Sequence, residues 1–330
     1  MARSRYVICT VSVTTADLWY GTGRVSFDML PDDILLDIFD FYRIDSTHHP
    51  WIWVPLAHVC RRWRQIIFAS LHQLDLKFLC RPRTRIRELL DFLPPAMPIM
   101  ICNCCSSQTQ QYPTLSYDDG SQVITAIEQH DRVQWIHLQD ISSSLLEKMV
   151  KIMQQTYPTL KHLRLWAVDD EIAPVLPEGF LGGSAPSLEA FWLRGIPFPE
   201  VPKLILTMND LVHLRLEKIP DSGYISPEAM ITALSTCEKL ETLIVEFNPG
   251  DPHPDLTSQE ITSIARVFLP DLTFFTFSGN GRYFDNFVPR IESPSLWPND
   301  HMRHDSMNRH VFYEVYLAPS SGISSRYYTR

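Results

Sequence analysis

Four stretches carry residue types able to do chemistry. Cys102-Asn-Cys104-Cys105, with His48-His49 further back, offers metal ligands. Zinc sites pair one closely spaced Cys or His couple with a second couple downstream. No second couple follows here, and Pro98-Ile-Met-Ile-Cys102 reads as a buried strand, so no metal is expected. Gly182-Gly-Ser-Ala-Pro186 approaches a nucleophile elbow, but Pro186 stands where the sharp turn needs Gly. It reads instead as a loop. Gly21-Thr-Gly23 lacks the third Gly and the strand–helix setting of a dinucleotide loop. Asp118-Asp119-Gly120 reads as a turn before a helix over 122–129. No nucleophile, base and stabiliser are assembled together. The expectation is therefore no catalytic residue, no cofactor and no enzyme activity.

Side chains suited to binding proteins sit in a repeat. The spacing apolar-x-x-apolar-x-apolar occurs six times: Val133/Ile136/Leu138, Leu160/Leu163/Leu165, Leu188/Phe191/Leu193, Leu211/Leu214/Leu216, Leu240/Leu243/Val245 and Leu272/Phe275/Phe277. First positions recur at intervals of 23 residues (Leu188 to Leu211) up to 32 residues (Leu240 to Leu272). One triplet fits any buried strand; six in series mark a repeat architecture. Helix signals lie between them. Ser144-Leu-Leu-Glu147 and Thr257-Ser-Gln-Glu260 are capping boxes. Ser226-Pro227-Glu228 is a cap with Pro in the first turn. Thr84 opens a helix through Ile86, Leu89, Leu90 and Phe92, and a short helix over 201–207 accounts for the tightest interval. Each unit is a strand plus a return helix or loop. Such units bury their apolar faces only by stacking, which predicts a curved solenoid with a parallel sheet.

Successive strand residues point to opposite faces. With the second and third triplet residues in the core, their neighbours line the other face. These are Trp135/His137/Gln139, His162/Arg164/Trp166, Ala190/Trp192/Arg194, His213/Arg215/Glu217, Thr242/Ile244/Glu246 and Phe274/Thr276/Ser278. Trp and Arg are frequent binding hot spots. The expected target-binding set is His162, Arg164, Trp166, Trp192, Arg194, His213 and Arg215, suited to an acidic or phosphorylated segment of an unknown protein target. The alternative is a row of ordinary solvated strand residues, each Trp covered by a neighbouring loop.

Ahead of the repeats lie two amphipathic stretches. In Met29-Leu-Pro-Asp-Asp-Ile-Leu-Leu-Asp-Ile-Phe-Asp-Phe-Tyr42, Pro31 and Asp32-Asp33 are start signals. Ile34, Leu35, Ile38, Phe39 and Tyr42 then make a helical stripe. A second helix, opened by Pro55, carries Leu56, Val59, Cys60, Trp63, Ile66 and Ile67. Leu30-Pro31, the Ile34/Leu35/Ile38/Phe39 run and Val59-Cys60-Arg61-x-Trp63 resemble the F-box. The resemblance implies docking onto the Skp linker, and through it cullin, of a ubiquitin ligase. It marks Leu30, Pro31, Ile34, Leu35, Ile38, Phe39, Leu56, Val59, Cys60, Trp63 and Ile66 as linker-binding. The loop over 43–54 is longer than in a minimal F-box, as in many fungal F-box proteins, so the second helix is free to sit differently. The repeats resemble the long, irregular leucine-rich repeats often found behind an F-box. The ladder position that usually holds Asn or Cys is Ile141, Val168, Ile196, Ile219, Asn248 and Asn280. Looser turns are expected at the first four.

The predicted fold class is α/β: a short N-terminal helical F-box followed by an irregular leucine-rich-repeat solenoid. The predicted divisions are a leader at 1–26, the helical domain at 27–70, the solenoid at 71–296 and a ragged tail at 297–330. Just before that tail Pro294-Ser295-Leu296 restarts the repeat; within it Asn299 and His301 fail the repeat, and Val311 to Leu317 alone read as a strand. Arg3, Arg5 and Tyr6 to Val13 make a faint, broken copy of a signal peptide. The 330 residues are 45% hydrophobic and 20% charged, ordinary for a globular chain. A net charge of −9 argues against nucleic acid, and no 18-residue apolar run offers a membrane span. Seven irregularly spaced cysteines suit a reducing compartment, cytoplasmic or nuclear. The implied function is a substrate-recognition adaptor. The alternative is a repeat scaffold whose first helices only cap the array.

Overall fold

The computed structural model describes residues 29–44, 53–82, 84–103, 117–169, 172–248, 265–294, 310–317 and 323–329. Among the described residues three helices come first: α1 (Asp32–Ile44), α2 (Trp53–Val59) and α3 (Arg61–Ala69). Pro31 stands just ahead of α1, and its carbonyl accepts the first helical bond, from the Leu35 N–H at 3.1 Å. Asp32 and Asp33 face the positive end of the helix dipole. The expected single second helix is two. The chain breaks at Cys60, which is extended (φ −155°) and caps α3 by accepting a bond from the Trp63 N–H at 3.4 Å. Leu35, Phe39, Trp53, Ala57, Ile66 and Ile67 form the inner contact of this segment.

The same buried cluster continues through Leu71, Leu74, Leu76 and Phe78 into a sheet. The Trp53 indole N–H donates to the Lys77 carbonyl at 3.4 Å, which ties α2 to the entrance of the first strand. The parallel strands follow in chain order: β1 (Phe78–Cys80), β2 (Ile99–Cys102), β3 (Val133–Ile141), β4 (His162–Ala167), β5 (Ala190–Arg194), β6 (His213–Ile219) and β7 (Thr242–Phe247). A short β8 (Val267–Phe268) leaves the sheet, and β9 (Phe274–Asn280) returns to it beside β7. β10 (Ile291–Glu292) pairs with β8 alone. Two antiparallel strands, β11 (His310–Leu317) and β12 (Ile323–Thr329), extend the sheet past β9. They lie in the tail where the sequence offered one strand and no repeat. Among the described residues the sheet has ten strands and stays open.

Return segments carry α4 (Ile86–Leu90), α5 (Tyr117–Ile127), α6 (Ser143–Ile152), α7 (Val201–Ile205), α8 (Pro227–Leu234) and α9 (Gly281–Phe287). Ser226 caps α8 as expected, accepting from the Ala229 N–H at 3.2 Å. The cap of α6 is Ser142, two residues ahead of the expected one, and accepts from the Leu145 N–H. Asp118 to Gly120 lie within α5 and not in a turn before it. Thr84 does not cap α4; its hydroxyl accepts instead from the Arg81 N–H at 2.9 Å. The capping box at Thr257 lies outside the described residues. Among the described residues no helix is long and apolar enough to cross a membrane.

Register explains why the triplets recur. Ile136, Leu163, Phe191, Leu214, Leu243 and Phe275 pair in one line across the strands. Leu138, Leu165, Leu193, Leu216, Val245 and Phe277 make a second line, two residues on. All twelve side chains are buried. In β4 and β6 buried residues alternate with half-buried ones, as one packed face requires. Strand entry is also repeated. The Lys161 carbonyl accepts from both Glu189 and Ala190, Glu189 from Val212 and His213, Val212 from Glu241 and Thr242, and Glu241 from Thr273 and Phe274.

The turns lacking ladder Asn are closed by backbone. Asp140 (φ 53°), Gly195 (φ 67°) and Lys218 (φ 50°) adopt left-handed geometry, each just before a buried Ile141, Ile196 or Ile219. The Val168 N–H donates to the Ile141 carbonyl, and the Asn248 N–H to the Ile219 carbonyl. The backbone just past the next strand thus bonds to each of these two turns. Asn280 acts differently from a ladder residue: it caps α9, its Oδ1 accepting from the Arg282 N–H at 2.8 Å.

Two stability outcomes follow from this packing. Phe191→Ala removes a ring from the middle of an inner line and should cost about 3–5 kcal/mol in urea unfolding. Gly195→Ala has room for its methyl, with the nearest atom at 3.8 Å, so only the backbone resists it. Its cost should be about 1–2 kcal/mol.

Candidate functional site

The first surface is the outward side of α1. Leu35 and Phe39 point inward, one turn apart. Ile34, Ile38 and Phe41 point outward at i, i+4 and i+7, and Phe41 is 75% exposed. Met29, Tyr42 and, on α2, Val59 are exposed as well. Of the linker-binding set expected from the sequence, Pro31, Ile34, Ile38 and Val59 are therefore exposed, and Leu30, Leu56, Cys60 and Trp63 are half-buried. Leu35, Phe39 and Ile66 belong to the core: the first two lie on the inward side of α1, and Ile66 of α3 joins the same buried cluster. Trp63 leans edge-on against Phe39, ring centroids 4.9 Å apart, so much of its surface is already spent. The Arg62 guanidinium locks α3 to the start of α1. It donates to the Leu30 carbonyl at 2.6 Å and to Asp32 Oδ1 at 2.6 and 3.1 Å. Phe41 was missed, although its i+7 spacing from Ile34 could have found it.

The second surface is the sheet face opposite the inner lines. All seven expected target-binding residues fall on it, in three cross-strand rows. The central row is Arg164, Trp192 and Arg215, on β4, β5 and β6. Cζ of Arg164 lies 3.6 Å from the Trp192 ring centroid and Cζ of Arg215 lies 4.1 Å from it, so the indole is held between two guanidinium groups. The preceding row brings Trp135 and His162 to 4.0 Å between ring centroids, with His213 beyond. The following row is Trp166, Arg194 and Glu217. There Arg194 Cζ is 5.8 Å from the Trp166 centroid, and its Nη1 donates to Glu217 Oε2 at 3.3 Å. Asp169 lies 3.9 Å from Arg194 Nη2 and 2.7 Å from Lys218 Nζ. Among the described residues, arginines of the adjacent strands lie over the Trp192 ring.

Burial shapes the charges here. It pushes His162 down to about 4 and lowers His213, with the arginine charges acting in the same direction, so both are neutral at pH 7. On β7, Glu246 is raised above the usual carboxylate range by burial and by the neighbouring Glu217. The face therefore has an aromatic, cationic middle and an acidic end. Glu217 and Glu246 close the flanking sets of their strands in the sequence. Nothing there showed that the two carboxylates become neighbours.

Other chemistry is weakly provided for. Burial raises the Cys80 thiol to about 12 and Cys237 to about 11, which removes them as nucleophiles. Ser184 follows a 3-10 turn, Phe180–Gly183, in which Leu181, Gly182 and Gly183 are left-handed. A Cβ on Gly182 would meet Thr156 Cγ2 at 2.6 Å, so this Gly serves close packing. Cys104, Cys105, His48 and His49 lie outside the described residues. Among the described residues no three metal-ligating side chains gather.

The shifted groups have measurable consequences. His162 should titrate by NMR with a midpoint near 4. The unfolded chain takes up that proton first, so His162 should lower stability as pH falls from the ordinary histidine value to about 4, with no further loss below. Glu246 has the opposite sign, because its ionised form is disfavoured in the fold. Glu246→Gln should raise the melting temperature at pH 7 and leave it unchanged in acid.

The profile of the family described as F-box-like matches residues 27–74, the stretch that holds α1, α2, α3 and the turn to Leu74. No curated protein matches the chain. F-box domains in general bind the Skp linker, so the match supports this partner and an adaptor role of the general kind. The helical segment ahead of the sheet is thus similar to an F-box-like domain.

Proposed function

We propose that this chain is a substrate-recognition adaptor of a Skp–cullin–F-box ubiquitin ligase. Its F-box-like helices dock on the Skp linker, and an irregular leucine-rich-repeat solenoid binds a protein target on the open sheet face. The observation that carries the reading is the outward stripe of Ile34, Ile38 and Phe41 on the helix that opens the F-box-like match. A monomer in water has no use for three exposed apolar side chains in register; a partner groove does. The chain itself performs no chemistry. It raises the concentration of a target beside the ligase. Buried thiols at Cys80 and Cys237 suit a reducing compartment, the cytoplasm or nucleus.

One observation favours a second reading, a repeat scaffold whose helices only cap the sheet. The core runs unbroken from α1 into β1, so the helices do cover that end. Co-purification with the Skp linker separates the two readings. Wild type should bind, and Ile34→Glu with Phe41→Glu should weaken binding at least about 100-fold while the fold survives, both sites being exposed. Leu35→Ala is the folding control and should cost about 2–5 kcal/mol of stability. A wild-type chain that fails to bind at micromolar concentration would leave the scaffold reading.

A further inference from the structure

The sheet face presents two opposite charges that do not neutralise each other. Arg215 is held over Trp192 with Cζ 4.1 Å from the ring centroid. Glu246 sits on the adjacent strand, two residues past Ile244, the register partner of Arg215. Each feels the other's charge. Yet among the described residues neither has an ion-pair partner within 4.0 Å. The stack on Trp192 holds the guanidinium in its own row. Glu217, the carboxylate nearest Glu246 in sequence register, already receives Arg194. A half-buried carboxylate beside a second carboxylate is unfavourable for the fold and is open to a cation from outside.

Two residues along a strand span about 6.6 Å, and side chains at i and i+2 of an extended peptide point the same way at that same spacing. A peptide lying along the strands would therefore present alternate side chains to successive rows. We propose that Arg215 and Glu246 form a bipolar seat for an extended peptide in which an Asp or Glu stands two residues from a Lys or Arg. The acid meets Arg215 beside the Trp192 ring, and the base meets Glu246 and Glu217. A carboxylate suits the seat better than a phosphate. Arg215 already lies in the field of two glutamates, and His162 and His213 add no positive charge, so a dianion would be repelled at the acidic row. This inference rests on reading the sheet face as the target surface and deepens it from an acidic target to a mixed-charge one.

The test uses the full chain and fluorescein-labelled peptides in fluorescence anisotropy, with Skp-linker capture measured on the same preparation. The probe core is Lys-Ala-Glu-Ala-Lys, which serves either chain direction. The comparison probes are all-Glu, all-Lys and one with phosphoserine in place of the central Glu. The mixed probe should bind at least about tenfold more tightly than the all-Glu or all-Lys probe. Arg215→Gln and Glu246→Gln should each remove that preference, Glu246→Gln while raising thermal stability and keeping Skp-linker capture. Equal or tighter binding of the all-Glu or phosphoserine probe, an unaffected Glu246→Gln variant, or no binding of the mixed probe would overturn the seat. Failure of linker capture alone would instead remove the adaptor reading and leave the seat in place.

Discussion

Two lines of apolar side chains, one through Ile136 and Phe275 and one through Leu138 and Phe277, run unbroken across the parallel strands. Everything else about the sheet follows from keeping them in register. Side chains alternate with a period of two, so a one-residue slip in any strand would carry its Leu or Phe to the open face and its Arg or Trp into the core. The cost of that exchange fixes the pairing. The repeat length is free to vary because the return segments, not the strands, absorb the difference. α7 is short and α6 long, yet both deliver the chain to the same register.

The open face inherits its order from the packed one. Arg164, Trp192 and Arg215 stack because their apolar neighbours place them in one row, with the strands at their ordinary separation. The stack in turn decides the electrostatics. A guanidinium lying on an indole is held in its row and kept from pairing with a carboxylate in the next. That leaves Arg215 and Glu246 as separate charges on a half-buried surface. Burial neutralises the two histidines beside them, so the face has poles rather than a uniform sign.

The helices ahead of the sheet divide one stripe into two. Leu35 and Phe39 join the core while Ile34, Ile38 and Phe41 remain outside it. Cys60 makes that division possible by ending α2 and capping α3, so that Ile66 and Ile67 reach Leu35 and Phe39. The inner residues then continue through Trp53 and Lys77 into β1. The F-box-like segment and the sheet share one core, and a change at Leu35 or Ile66 would be felt by both.

The sequence alone determined the repeated strands β3 to β7 and β9, their order of recurrence, the residues of those strands that face inward and the first helix of the F-box-like segment. These follow from periods of two and 3.6, which are local properties of a chain. It also named the arginines and tryptophans of the open face, since alternation assigns them once the core triplets are known. Tertiary structure decided which of two adjacent apolar stripes on α1 is buried, because both have helical spacing and only the packing of α2 and α3 chooses between them. It decided that Cys60 caps α3 and that Trp63 leans on Phe39, and that left-handed residues close turns where the repeat pattern wanted Asn. It also placed β11 and β12 at the far edge of the sheet, where no repeat foretold them. Most of all, it brought Glu246 beside Glu217 and kept Arg215 from both. Those relations cross strands some thirty residues apart, and no local period carries them.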